Sequence, residues 1–208
     1  IMNCEKYGMD FIGEFHPEAR ELDWPCNADP ARLHMATNKN GAVKSKSTEP
    51  IYNPLWPRNQ EWYLGMIGEF VDRYKDSKAL KGVCLRLMGW CNPGLNNFHS
   101  LDWGYDDYTV GLFEKETGKK IPVDAGDTQR FRKRYDWLIA NAKEDWIEWR
   151  CKKITALYAK IAERVRQARP DLAVLSNFCM PEQEDAPREA GIDPMELQAI
   201  PGVILVGG

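Results

Sequence analysis

Residues 80–118 read LKGVCLRLMGWCNPGLNNFHSLDWGYDDYTVGLFEKETG, and they constrain the fold more than any other stretch of the chain. The short apolar run at 82–88 is typical of a buried strand, and a loop rich in Gly, Pro, Asn and aromatic residues follows it. Asp106 or Asp107 then suits the N-cap of a helix that ends near Gly118. Strand, long loop and helix in this order predict one step of an α/β barrel or a doubly wound sheet, in which that loop carries the chemistry.

The rest of the chain alternates between predicted strands and predicted helices. Further strands are expected at 7–15, 172–178 and 203–206, and further helices at 59–74, 128–141, 143–168 and 193–199. This order favours a parallel sheet with helical crossovers. We therefore expect an α/β fold that resembles a (β/α)8 TIM barrel, with residues 1–208 as a single partial barrel domain. Only about four of the eight strands of such a barrel are recognised, so we expect missing sequence to supply the rest.

Side-chain alternation gives the predicted first strand one apolar and one polar face. Phe11, Gly13 and Phe15 fall on one side, whereas Glu14 and His16 fall on the other. A parallel sheet that is covered by apolar contacts on both faces rarely shows this pattern. In a barrel, the apolar face meets the helices and the polar face lines the lumen near the mouth of the active site.

The second predicted strand repeats this alternation. Residues 83, 85 and 87 are apolar and share one face, whereas Arg86 and Trp90 share the other. Asn177 lies near the end of the third predicted strand. Polar and aromatic side chains thus gather at C-terminal strand ends, where a TIM-type barrel has its active site.

Composition argues against several classes of function. The net charge is −3, and basic residues are dispersed among acidic ones, so there is no electrostatic reason to expect a nucleic-acid partner. No apolar run approaches the length of a membrane span, and no signal peptide is recognised. The six cysteines form no C-x-x-C motif, which argues against a zinc knuckle. The sequence predicts no cofactor.

Three strings within residues 51–177 carry a family resemblance: NPLWPRNQEWYLGMIGEFVDRYKDSKALKGVCLRL, GYDDYTVGLFEKETGKKIP and WIEWRCKKITALYAKIAERVRQARPDL. They are similar to the glycoside-hydrolase-like family 10 barrels, which are bacterial proteins related to clan A glycosidases. The resemblance implies a (β/α)8 barrel, an oligo- or polysaccharide substrate and carboxylate catalysis at the strand ends. It also slightly favours a secreted or periplasmic location over a cytoplasmic one.

One position departs from that resemblance. The strand that matches residues 82–90 carries an aspartate in much of the family, whereas an ungapped alignment places Arg86 there. An arginine neither protonates a leaving group at neutral pH nor acts as a nucleophile. Another carboxylate would then serve, the chemistry would differ, or the barrel would only bind. Arg86 is also expected either to form a buried ion pair with Glu14 or to grip the carboxylate of a substrate such as a uronic acid.

Glycoside hydrolysis needs two carboxyl groups beside the scissile bond. Glu14 is the first catalytic candidate, because its face and its position near the strand end place it at the predicted mouth. Asp102, in the loop after the second strand, is the candidate for the second carboxylate. Asp106 and Asp107 are alternatives, although helix capping explains them better.

Substrate binding is expected from side chains near the same strand ends. Sugar and other small-molecule sites combine apolar rings with a few fixed polar groups. The candidates are His16, Arg86, Trp90, His99, Trp103, Asn177 and Glu182. The leading hypothesis is a glycoside hydrolase. The alternatives are a non-catalytic carbohydrate-binding or scaffold barrel and a metal-dependent hydrolase with His16 as a ligand.

Overall fold

The computed structural model describes residues 1–15, 34–43, 51–88, 95–179 and 186–207. Within them, the helices are α1 (Met2–Lys6), α2 (Pro57–Tyr74), α3 (Asp107–Thr117), α4 (Arg130–Asn141), α5 (Lys143–Ala168), α6 (Ala186–Glu189) and α7 (Pro194–Gln198). The strands are β1 (Phe11–Phe15), β2 (Leu80–Met88), β3 (Ala173–Cys179) and β4 (Val203–Gly207). They form one parallel sheet in the order β1-β2-β3-β4. The expected α/β fold with helical crossovers is confirmed.

Two long helices, α2 and α5, pack against each other and against one face of the sheet. The side chains of β2 on that face, Val83, Leu85 and Leu87, are fully buried. They share one core with apolar residues of both helices, including Ile67 and Ile154. Burial of each such side chain contributes about 1.5–3 kcal/mol, so this layer of helices fixes which face of the sheet is left for other contacts.

β1 meets α2 through one aromatic side chain. The ring of Phe70 packs against Phe11 and Phe15, with centroid distances of 6.2 and 5.3 Å. A Cβ atom on Gly13 would lie 2.5 Å from the Phe70 ring, so only glycine leaves room for it. Glu14 faces away from the helix, as the alternation of the sequence predicts.

The helix termini follow the capping signals of the sequence. Asp106 is the N-cap of α3 and accepts a hydrogen bond from the backbone N–H of Thr109 at 2.8 Å. Gly118 ends the same helix in the left-handed conformation, with φ 73°. The bounds of α5 are the predicted ones, and Asp193 caps α7 as expected.

The N-terminal region differs from the prediction. A strand was expected over residues 7–15, but α1 and a turn at Gly8, with φ 66°, precede β1, which begins only at Phe11. No residue of α1 is buried, so no apolar periodicity marks this helix in the sequence. The loop expected after β3 likewise contains α6, a single turn with no buried residue.

Residues 34–43 are held against the loop at 95–105 by backbone hydrogen bonds. The carbonyl of Thr37 accepts two of them from this loop. Asn38 forms an antiparallel bridge with Trp103. Residues 34–43 are therefore fixed to the segment that follows β2.

Gly82→Ala is expected to destabilise the fold by about 2–3 kcal/mol. Gly82 has φ 155°, and an added Cβ would lie 2.0 Å from the carbonyl oxygen of Ala173. That oxygen belongs to the backbone of the neighbouring strand and cannot rotate away. Urea denaturation measures the change in the free energy of unfolding.

Gly111→Ala is the matched control, because a Cβ at this helical position meets nothing within 4 Å. We expect this change to leave stability the same or to raise it by up to about 1 kcal/mol. Equal unfolding midpoints for the two variants would contradict the steric argument for Gly82.

Candidate functional site

The sheet face opposite α2 and α5, called here the open face, carries two rows of side chains that cross the strands. The row nearer the N-terminal ends holds Glu14, Cys84, Leu175 and Ile204. The row nearer the C-terminal ends holds Arg86, Asn177 and Val206. Ile204 is 50% exposed and Val206 is 40% exposed, so no described element covers this face.

Glu14 and Arg86 form an ion pair across β1 and β2, through Oε1 of the glutamate and Nη2 of the arginine. The backbone partner of Glu14 is Cys84, so the arginine lies two residues further along its strand and its side chain reaches back. The two side chains are 46% and 38% exposed. The sequence suggested a buried pair, but a pair this exposed contributes only about 0–1 kcal/mol.

The thiol of Cys84 lies beside this pair. Burial, and then the charge of Glu14, raise the pKa of the thiol, while the backbone of Asn177 and the charge of Arg86 oppose this effect. A raised pKa keeps a thiol protonated at neutral pH, and a protonated thiol is a poor nucleophile. Cys84 therefore contributes a small, weakly polar surface between the two charged groups.

Asn177 is the backbone partner of Arg86 on β3, and its side chain is exposed. The structure thus brings three of the expected site residues together on the open face. His16, Trp90 and Glu182 lie outside the described residues. Their roles in substrate binding stay predictions.

Asp102 is held by Lys39. The two side chains form an ion pair with 2.9 Å between Nζ and Oδ1, and the backbone N–H of Lys39 donates to the carbonyl of Asp102. The hydrogen bond to Asp102 raises the pKa of Lys39. The ammonium group also lies 4.6 Å from the centre of the Tyr135 ring. Asp102 remains 49% exposed and reachable by a ligand.

His99 and Trp103 contact each other edge to face, with ring centroids 5.7 Å apart. Burial lowers the pKa of His99. The Trp103 side chain is only 6% exposed and packs against Ala36 and Ile51. In this structure almost all of the indole surface contacts protein.

The expected site residues therefore fall into two groups. Glu14, Arg86 and Asn177 form one, and the loop residues His99 and Asp102 belong to the other together with Trp103. Within the described part of the chain, no hydrogen bond, ion pair or ring contact joins the groups directly.

The two alternative acids after β2 are structural: Asp106 caps α3 as predicted, whereas Asp107 lies in its first turn and pairs with Arg130 and Arg134. Asp106 is fully buried as an N-cap and also accepts a hydrogen bond from Asn53. Burial raises the pKa of Asp106 to about 6. Burial also acts to raise the pKa of Asp107, but hydrogen bonds from Arg130 and Arg134 lower it overall. Both carboxylates are engaged by the fold and not by the open face.

Sequence reasoning missed the residue that joins the loop to the strand end. Asn96 is fully buried, donates to the backbone carbonyl of Arg86 at 2.8 Å, and accepts a hydrogen bond from the hydroxyl of Tyr63. Its polar groups are thus used inside the protein. No local pattern marks this role, because Tyr63 lies 33 positions away along the chain.

A second missed residue, Arg150 of α5, contacts the same loop from the helix layer. Its guanidinium is fully buried, donates to the carbonyl of Ser100 at 2.9 Å and lies 4.1 Å from the centre of the Phe98 ring. Burial lowers its pKa to about 10, so it stays charged at neutral pH. The loop that carries His99 is therefore anchored on both sides.

Two classes of feature are not found in the described residues. No three or more His, Cys, Asp and Glu side chains are grouped there in a way that could hold a metal ion. No described helix has the length and apolar character that crossing a membrane requires. The histidine suggested as a metal ligand, His16, lies outside this part of the chain.

A parallel α/β sheet with helices on one face and charged side chains on the other is the arrangement expected of part of a barrel, in which the second face would line the lumen. The chain belongs to the Glycosyl hydrolase-like 10 family, whose sequence profile matches residues 4–180. The resemblance stated from the sequence is thereby confirmed. No curated protein matches the chain.

The fold is shared with the solved structure of a β-galactosidase. The crystal structure of β-galactosidase from the psychrophilic Marinomonas ef1 superposes with a TM-score of 0.63 and 11% identity, over 96% of this chain and 31% of that chain. The β-galactosidase from Bacillus circulans sp. alkalophilus gives a TM-score of 0.45 and 12% identity, over 86% of this chain and 29% of that one. The chain thus spans about a third of the length of these proteins, and its fold is consistent with part of a TIM barrel.

The raised pKa of Asp106 predicts a pH-dependent stability. The folded protein binds the proton of the Asp106 carboxyl group more tightly than the unfolded chain does. The protonated carboxyl group therefore contributes to the free energy of unfolding below about pH 4, and this contribution is lost as the pH rises through about 6. Asp106→Asn removes the titration while its side-chain oxygen still accepts hydrogen bonds. Relative to wild type, we expect the variant to gain about 2–3 kcal/mol between pH 4 and 7.

Urea denaturation of both proteins at several pH values measures this difference. Asp193→Asn, at the N-cap of α7, gives the cost of the same substitution at a less buried cap. A constant difference between Asp106→Asn and wild type from pH 4 to pH 7 would contradict the raised pKa.

Proposed function

We propose that the protein is a glycoside hydrolase that cleaves O-glycosidic bonds of an oligo- or polysaccharide on the open face. The observation that carries this proposal is the accessible Glu14 carboxylate, paired with Arg86, on the inner face of a glycosidase-like sheet. A side chain with this placement reaches a ligand in the lumen, whereas Asp106 and Asp107 are engaged by the fold.

Glu14 is proposed to act as one of the two catalytic carboxylates. In its ionised form, a carboxyl group beside the anomeric carbon stabilises the positive charge that develops in the transition state; in its protonated form, it transfers a proton to the leaving oxygen. Arg86 orients this carboxylate. Asn177 is the neighbour of Arg86 in the row nearer the C-terminal ends, and it is proposed to bind a hydroxyl group of the substrate.

The second carboxylate must lie about 5 Å from the first for retention or roughly 6.5–9.5 Å for inversion. On the described part of the open face, no other acidic side chain lies in the two rows with Glu14. Asp102 is our candidate for this second carboxylate. We propose that its ion pair with Lys39 is replaced by contacts with the substrate when the substrate binds. His16, Trp90, His99, Trp103 and Glu182 are proposed to contact the substrate.

We also infer that further strands close the open face. Ile12, Ile204 and Val206 are exposed there, although parallel sheets are normally covered on both sides. The similar β-galactosidase chain is about three times as long as this one. Polypeptide outside residues 1–208 is proposed to complete the barrel and to bring additional side chains to the site.

A non-catalytic carbohydrate-binding barrel is the second candidate function. It is favoured by Arg86, which stands where much of the family carries an aspartate, and by the ion pair that occupies Glu14. Saturable binding of a sugar without turnover would support this alternative. Measurable hydrolysis would exclude it.

Glu14→Gln is expected to lower kcat by about a hundredfold or more, because the amide neither transfers a proton efficiently nor carries the charge of the carboxylate. Hydrolysis by the intact protein is measured on a panel of oligosaccharides that includes β-galactosides. Glu69→Gln is the matched control, because Glu69 is exposed on α2 and pairs only with Arg73 among the described residues.

Asp102→Asn tests the second carboxylate in the same assay. A fall in kcat of similar size is expected if Asp102 transfers the proton. Full activity in both Glu14→Gln and Asp102→Asn would contradict the proposed catalytic pair.

A further inference from the structure

Arg86 has more hydrogen-bond donors than its described contacts use. A guanidinium group carries five N–H donors in a planar fork. Among the described residues, its ion pair is with Glu14 alone and runs through Nη2. The side chain is 38% exposed, so the remaining edge of the fork is available to a ligand on the open face.

The bond between Arg86 and Glu14 is weak enough to be shared. Both side chains are more than a third exposed, and exposed pairs contribute little because water screens them. A planar carboxylate from a ligand would bind the fork through two parallel hydrogen bonds, a geometry that a single Nη2 contact does not provide. Exchange or sharing of the arginine between two carboxylates therefore costs little.

The surroundings of Arg86 suit a sugar that bears such a carboxylate. Asn177, its backbone partner, presents an exposed carboxamide with two further N–H donors. Among the described residues of these rows, Glu14 is the one acidic side chain, and its charge is balanced by the arginine.

We propose that the open face selects a carboxylated sugar, of the uronic acid class, whose carboxylate binds the Arg86 fork and the Asn177 amide. This inference rests on the proposed function, because it names the substrate class of the same site. Arg86 is then a specificity-determining residue. The position that departs from the common aspartate of the family thereby has a role of its own.

Ligand-observed NMR titration of the intact protein tests the inference. The ligands are the methyl glycosides of galactose and glucose, together with their C6-oxidised uronate counterparts, which differ from them only by a carboxylate in place of a hydroxymethyl group. Wild-type protein is expected to bind a uronate about tenfold more tightly than its neutral counterpart, as a charge-assisted bidentate contact allows. The preference should shrink as salt is added.

Three variants separate the contributions of the arginine, of its planar fork and of the competing Glu14 carboxylate to the uronate preference. Arg86→Gln is expected to weaken uronate binding by about tenfold more than it weakens binding of the neutral sugars, and so to abolish the preference. Arg86→Lys keeps the charge but loses the fork, and should retain only part of the preference. Glu14→Gln removes the competing carboxylate and should tighten uronate binding. Arg73→Gln, an exposed arginine on α2, is the matched control and should bind as wild type does.

Each outcome decides the inference. Binding of neutral sugars and uronates with equal affinity would overturn the uronate preference while leaving the proposed function in place. An equal loss of both ligand classes in Arg86→Gln, with an unchanged thermal midpoint, would overturn the specificity role of the arginine. Absence of binding by every sugar would overturn the proposed function and this inference together.

Discussion

The parallel pairing of β1, β2 and β3 is the constraint on which the candidate site depends. Glu14 pairs with Cys84 and Arg86 pairs with Asn177, so alternation sends all four side chains to the open face. A slip of one residue in β2 would turn Arg86 toward the helices and expose Leu85. Burying a guanidinium there without a partner would cost several kcal/mol. The register of the sheet and the composition of the site are therefore fixed together.

The helices α2 and α5 and the loop after β2 stabilise different parts of the fold. α2 and α5 bury the apolar face of the sheet, and glycines permit close contact: Phe70 approaches Gly13, and a Cβ on Gly68 would lie 2.7 Å from the side chain of Arg164. The described part of the loop after β2 adds buried apolar side chains to the same core. It is also held by two buried polar side chains: Asn96 of the loop donates to the backbone of Arg86, and Arg150 of α5 donates to the backbone of the loop. Such side chains are costly when unpaired, so they specify one arrangement of the loop.

Much of this architecture is encoded locally and could be predicted from the sequence. Alternation in the strands, the 3.6-residue periodicity of α5 and the caps Asp106 and Gly118 each involve residues that are close along the chain. α1 escaped prediction because none of its residues is buried. The pairing of Glu14 with Arg86 was foreseen because it needs only alternation and strand adjacency. The bond between Lys39 and Asp102 was not foreseen, because 63 positions separate these residues and nothing local links them.

The carboxylates of this chain show how burial separates structural acids from available ones. Asp106 is enclosed and its hydrogen bonds come from the fold, so a ligand could reach it only if α3 lost its cap. Glu14 and Asp102 each have one basic partner and about half of their surface in solvent. Since water competes effectively for such pairs, a substrate hydroxyl or carboxylate competes for them as well. A pair that contributes little to folding is for the same reason able to change partners, which is the property that a binding site requires.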